Sequence, residues 1–151
     1  MKEWHSTDEI LDFAIGEEQA AADFYTDLAD RMTQPWMRKT FEDFAKEEMG
    51  HKAKLISIKE GGAFRPVGGQ VPDLKIGDYL TDVEPSPGMA YQDALIVAMK
   101  KEKAAFRLYS DLAASTEDEN LQAIFLMLAQ EEAKHKLRFE LEYDDYILTE
   151  N

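Results

Sequence analysis

The chain has no cysteine among its 151 residues. That excludes disulfides, thiolate-held iron–sulfur clusters, four-cysteine iron sites and thiol nucleophiles. An absence of disulfides fits a reducing compartment, and a cytoplasmic location is expected. Basic residues are scarce: 17 Lys+Arg against 31 Asp+Glu leave a formal net charge of −14. Nucleic acid and anionic membrane surfaces both demand a basic face, so neither is expected as a partner. No apolar run approaches the ~20 residues of a membrane span. The segment Met1-Lys2-Glu3-Trp4-His5-Ser6 lacks the apolar core of a signal peptide. Histidine is also rare, with three residues in all.

What is present suits long helices. Hydrophobic residues make up 44% of the chain, enough for a full-sized core in one domain. Ser6 and Glu9 form a capping box that starts a helix near residue 6. Leu11, Ala14, Glu18, Ala21, Tyr25 and Leu28 follow at steps of three and four, one narrow stripe of a helix ending near Thr33. Pro35 suits the first turn of a second helix with the stripe Phe41, Ala45, Glu48, His51, Leu55 and Ile58, stopped by Gly61-Gly62. The short gap between them predicts an antiparallel hairpin. From Gly61 to about Pro87, prolines and glycines break the pattern, apart from a possible helical turn at Ile76–Leu80. Ser86-Pro87 is expected to cap a third helix with the stripe Leu95, Ala98, Glu102, Ala105, Tyr109 and Leu112. Thr116, followed by Glu117-Asp118-Glu119, is expected to open a fourth with Phe125, Leu128, Ala129, Glu132, His135 and Phe139, continued by the acidic, aromatic segment from Glu140 to Ile147.

The second pair of helices repeats the first at a constant offset of 84 residues: Leu11/Leu95, Glu18/Glu102, Tyr25/Tyr109, Phe41/Phe125, Glu48/Glu132 and His51/His135. The expected architecture is therefore all-α, a four-helix bundle of two repeated hairpins, residues 8–60 and 92–144, joined by a long crossover over about 61–87 within a single domain 1–151. The offset also separates the adjacent acids Glu17 and Glu18. Glu17 corresponds to Lys101, which is no ligand, whereas Glu18 corresponds to Glu102 and lies on the apolar stripe.

Two of the three histidines fall in one motif, Glu48-x-x-His51 and Glu132-x-x-His135. Positions three apart share a helix face, so carboxylate and imidazole can grip one ion. A Glu from each of two helices and a Glu-x-x-His from each of the other two is the ligand set of di-iron and di-manganese carboxylate bundles. Here it is Glu18, Glu102, Glu48/His51 and Glu132/His135. The charges of four carboxylates and two divalent ions cancel, and without metal the buried acids would repel and lack solvation. The competing reading, solvated acids on helix surfaces, must explain why each one sits on an apolar stripe and recurs at the same offset. Oxygen and imidazole donors suit iron or manganese, and zinc would also bind. Tyr25 and Tyr109 read as core tyrosines or as hydrogen-bond donors to a ligand carboxylate. Glu47 and Glu131 read as solvated charge or as partners of the ligand histidines, and His5 reads as a surface residue.

With these residues in place the chain resembles rubrerythrin-type members of the ferritin-like superfamily, over roughly residues 8 to 148. The matching segments are Ala14-x3-Glu18-x6-Tyr25, Glu47-Glu48-x2-His51, Ala98-x3-Glu102-x6-Tyr109 and Glu131-Glu132-x2-His135. The resemblance implies a left-handed four-helix bundle with a non-haem centre of two iron ions. Glu48 and Glu132 would bridge the irons, Glu18 and Glu102 would be terminal ligands, and each histidine would hold one iron. It implies an oxidoreductase acting on hydrogen peroxide or dioxygen, with a ferroxidase and iron-storage role as the alternative. Two features depart from the family pattern. The cysteine-ligated rubredoxin domain usual in that family has no counterpart in these residues, so a separate electron donor such as rubredoxin is expected. The position of an additional family glutamate, one turn beyond Glu102, is Ala105. Family chains usually pair, and a homodimer is expected, with Tyr143, Tyr146 and Ile147 offering apolar surface.

Overall fold

The computed structural model describes residues 6–61 and 84–150, with the side chains of 149 and 150 excepted. The proposed turn at Ile76–Leu80, His5 and most of the crossover lie outside the described residues. Four helices follow in order: α1 Thr7–Arg31, α2 Pro35–Lys59, α3 Tyr91–Ser115 and α4 Glu119–Glu150. The sequence repeat is carried into the backbone boundaries. Thr7 to Tyr91, Arg31 to Ser115 and Pro35 to Glu119 are each 84 residues apart. Three-residue turns therefore close both hairpins, and α4 alone runs on beyond the repeat. Among the described residues no helix is long and apolar enough to cross a membrane.

Contacts divide the chain into two units, Met1–Arg65 and Pro66–Asn151, each built on one hairpin. In the first, Ser6 caps α1 by accepting a hydrogen bond from the Glu9 amide at 3.1 Å, and Pro35 occupies the start of α2. Gly61, at φ +94°, ends the hairpin in the left-handed region that glycine tolerates. The stripes Leu11, Ala14, Tyr25, Leu28 and Phe41, Ala45, Leu55 are buried, whereas Ile58 is only half-buried. Polar ties run across the hairpin. Lys52 Nζ donates to Gln19 Oε1 at 2.7 Å, and Lys59 donates to Asp12, which holds the lysine above its ordinary pKa.

The second unit starts its helices later than the sequence suggests. Ser86 does not cap α3. Its carbonyl accepts from the Met89 amide at 3.2 Å, closing a turn in which Gly88 takes φ +66°. A left-handed residue cannot lie inside a right-handed helix, so α3 begins at Tyr91 with Ala90 before it. Nor does Thr116 cap α4. Asp118 Oδ1 accepts from the amides of Asn120 and Leu121 at 2.9 and 3.1 Å, the N-cap geometry. The C-terminal segment does continue α4, through Glu150. There Tyr91 Oη donates to Glu142 at 2.9 Å and its ring meets Tyr146 edge-on at 5.2 Å. Part of the aromatic surface expected to be sticky is thus used inside the hairpin.

Candidate metal-binding clusters

In the first hairpin α1 contributes Glu18, and α2 contributes Glu48 and His51. Their exposures are 1%, 1% and 6%, while Glu17 is half-buried on the neighbouring face. One donor atom from each lies within 4.8 Å of the others. His51 turns Nδ1 toward the acids, 3.5 Å from Glu18 Oε2 and 3.9 Å from Glu48 Oε2. Oxygen and nitrogen donors that share one ion at bond lengths of about 2.0–2.2 Å stand about 3–4.4 Å apart. Both separations fit.

The second hairpin repeats the arrangement with Glu102 on α3 and Glu132 and His135 on α4, exposed by 1%, 1% and 2%. Their donor atoms again lie within 4.8 Å of one another, and His135 Nδ1 is 3.5 Å from Glu102 Oε1. Each hairpin thus brings two carboxylates and one imidazole together away from water. All six sequence-chosen residues fall in these two clusters, three to a hairpin.

The surrounding residues are less alike. Tyr25 and Tyr109 are both buried. Tyr25 packs on Phe44 at 5.8 Å with tilted rings, and Tyr109 stacks on Phe125 at 6.2 Å. Glu47 is exposed, and Glu131 is half-buried with Lys134 at 3.3 Å. The sequence reading missed Lys136 and Glu140, which are 4% and 0% exposed and lie 3.5 Å apart beside the second cluster. Their counterparts at the 84-residue offset are Lys52 and Ile56, and Lys52 instead reaches Gln19. Gln19 corresponds to Lys103, so a lysine at 136 finds no amide at that place and pairs along its own helix. The replacement of half-buried Ile56 by an acid was the signal available in the sequence.

The donor set decides which groups fit. Two carboxylates and a neutral imidazole balance one divalent ion in each hairpin, and hard oxygen with imidazole suits iron or manganese, with zinc also accommodated. Burial this deep is costly for acids that hold no counter-charge.

Residues 9–143 match a protein family described as Rubrerythrin. No curated protein matches the sequence. An uncharacterized conserved protein from Magnetospirillum magnetotacticum is similar in structure, with 22% identity, 93% of this chain and 95% of that chain covered, and a TM-score of 0.71. A hypothetical protein from Pyrococcus furiosus is similar at 25% identity, with 93% and 89% covered and a TM-score of 0.63. These likenesses establish an all-α, ferritin-like four-helix bundle.

Proposed function

The chain belongs to the rubrerythrin family, and from that premise we propose a non-haem di-iron oxidoreductase that reduces hydrogen peroxide, or dioxygen, with electrons from a separate donor. The observation that carries the reading is the pair of buried clusters, Glu18/Glu48/His51 and Glu102/Glu132/His135, each with donor atoms within 4.8 Å. When bound, a pair of ferrous ions supplies two electrons, the number that hydrogen peroxide takes up with two protons to become two waters. Glu18, Glu48 and His51 would hold one ion and Glu102, Glu132 and His135 the other, with His51 and His135 offering Nδ1 on the side facing the acids. Tyr25 with Phe44 and Tyr109 with Phe125 pack buried rings within each hairpin, part of the core that holds the acids away from water. Ala105 is half-buried and adds no seventh ligand, which reduces any preference for peroxide over dioxygen. A cytoplasmic location is part of the same proposal and rests on the reducing environment such a centre needs.

The test is stopped-flow oxidation of the anaerobically reduced, iron-loaded protein. Peroxide should oxidise it faster than dioxygen, in one turnover unless a donor such as rubredoxin is supplied. Faster oxidation by dioxygen, followed by iron accumulating well beyond two per chain, would replace this reading with ferroxidase and storage.

A further inference from the structure

Each cluster draws its ligands from two helices. Glu48 and His51 sit three residues apart on α2, so the helix itself fixes their spacing. Glu18 comes from α1, and its reach to His51 depends on how closely and in what register the two helices pack. Directly beside these ligands a polar chain crosses the hairpin. Lys52, next to His51, donates from Nζ to Gln19 Oε1 at 2.7 Å. Gln19, next to Glu18, donates in turn from Nε2 to Asp23 Oδ1 at 2.9 Å. The Gln19 amide is thus held at both ends, its oxygen facing an ammonium and its nitrogen a carboxylate, and charge at each end strengthens both bonds. Lys52 and Gln19 are half-buried, so water competes with the crossing bond less than at an open surface. Eighty-four residues on, the same three positions are Lys136, Lys103 and Arg107. All three are donors without an acceptor, so the chain cannot be repeated, and Lys136 lies 3.5 Å from Glu140 on its own helix.

We propose that Gln19 and Lys52 are positioning residues for the first cluster, and that the two clusters consequently differ in metal affinity, the first being the tighter. The inference rests on the reading of both clusters as metal sites. Neither residue touches the ion. Successive positions on a helix point about 100° apart, which places Gln19 and Lys52 on the flank of the cluster rather than in it. Their effect is on reach. A divalent ion needs Glu18 and His51 at one separation, and a hairpin free to slide or breathe loses that freedom on binding, which weakens affinity. The hydrogen bond from α2 to α1 has already removed it, one residue away from each of the two ligands. In the second hairpin two lysines at the matching positions cannot bond one another, so Glu102 is brought to Glu132 and His135 without this tie.

The test is calorimetric titration of the full-length, metal-free chain with Fe(II) under anaerobic conditions. His135→Ala leaves the first cluster to be read by itself, and His51→Ala the second. The first should bind about tenfold more tightly than the second. In the His135→Ala background, Gln19→Ala and Lys52→Met should each weaken binding about tenfold, the loss expected when a residue that orients a ligand is removed. The two together should weaken it no further than either alone, because both remove one bond. Lys52→Met keeps the aliphatic stem, so it tests the bond even where Gln19→Ala folds poorly. Lys52→Arg keeps a charged donor and should stay within about threefold of the parent. In the His51→Ala background, Gln19→Ala should leave the second cluster's affinity unchanged. A first cluster no tighter than the second, or one indifferent to Gln19→Ala and Lys52→Met, overturns the proposal and leaves both metal sites standing. So does a loss that falls equally on both clusters, the mark of a general loosening of the fold. A wild type that takes up no iron overturns the metal reading itself, and this proposal with it.

Discussion

Replacing Glu48 by glutamine separates a metal ligand from a structural acid by the sign of its effect. Glu48 is 1% exposed, its donor oxygen lies within 4.8 Å of that of Glu18, and its Oε2 is 3.9 Å from His51 Nδ1. Two carboxylates that close repel by about 3 kcal/mol at an effective dielectric of about 20. A protonated His51 attracts each acid comparably, but one imidazolium cannot neutralise two acids, so the metal-free cluster keeps a net negative charge out of water. Glu48→Gln keeps the side-chain volume and leaves one carboxylate facing one imidazole, Glu18 and His51 at 3.5 Å. The attraction lost with Glu48 offsets the repulsion relieved, so the gain comes from the desolvation cost of a buried charge that the amide does not carry, about 1–2 kcal/mol net in the metal-free protein, roughly 2–8 °C in Tm for a chain of this size. With metal the sign reverses. An ion present at about a thousandfold over its Kd stabilises the folded state by about 4 kcal/mol, and the variant forfeits most of that. Calorimetry in EDTA, and again with Fe(II) under anaerobic conditions, reads both arms. The variant should melt above wild type without metal and below it with metal. A variant that melts below wild type in both states refutes the reasoning, because the carboxylate would then be holding the fold through hydrogen bonds rather than awaiting an ion.

Metal analysis after anaerobic reconstitution should give two ions per chain, and His51→Ala or His135→Ala should each lose about one of them. Tyr91→Phe removes the 2.9 Å hydrogen bond to Glu142 and should lower stability by about 1–2 kcal/mol in chemical denaturation. Gly50→Ala should raise stability by about 1 kcal/mol in the same assay, because Gly50 is helical and a Cβ there meets nothing within 4 Å.

The helices and their buried faces were legible because the period of 3.6 is stated twice. Leu11, Tyr25 and Phe41 predict their own burial, and Leu95, Tyr109 and Phe125 confirm the register 84 residues later. The buried acids were legible for the same reason. A glutamate on an apolar stripe is a physical contradiction unless a counter-charge resolves it, and here the contradiction recurs at matched positions. What escaped was local. Ser86-Pro87-Gly88 has the composition of a helix cap and equally that of a turn, and the left-handed φ of Gly88 decides for the turn. Thr116 and Asp118 are both good caps, and only the backbone geometry chooses Asp118. Lys136 and Glu140 escaped because charged residues off the stripe read as solvated. Their burial follows from what the repeat changes around them.

Those changes matter as much as the likeness. A ligand position would be held in type by the ion it binds, so on the proposed reading Glu18 and Glu102 could not drift apart without loss of a site. No such constraint holds the outer face, yet its differences are not scattered. Ala22 to Phe106 and Glu42 to Leu126 both add apolar bulk, and Asp23 to Arg107 reverses a charge at the adjoining position. Apolar side chains left 40% and 54% exposed face a cost in water that a polar residue would avoid. The same repeat therefore gives two equivalent triads of buried donors and two inequivalent exteriors: the equivalence is what two like metal ions would require, and the exteriors answer to no such requirement.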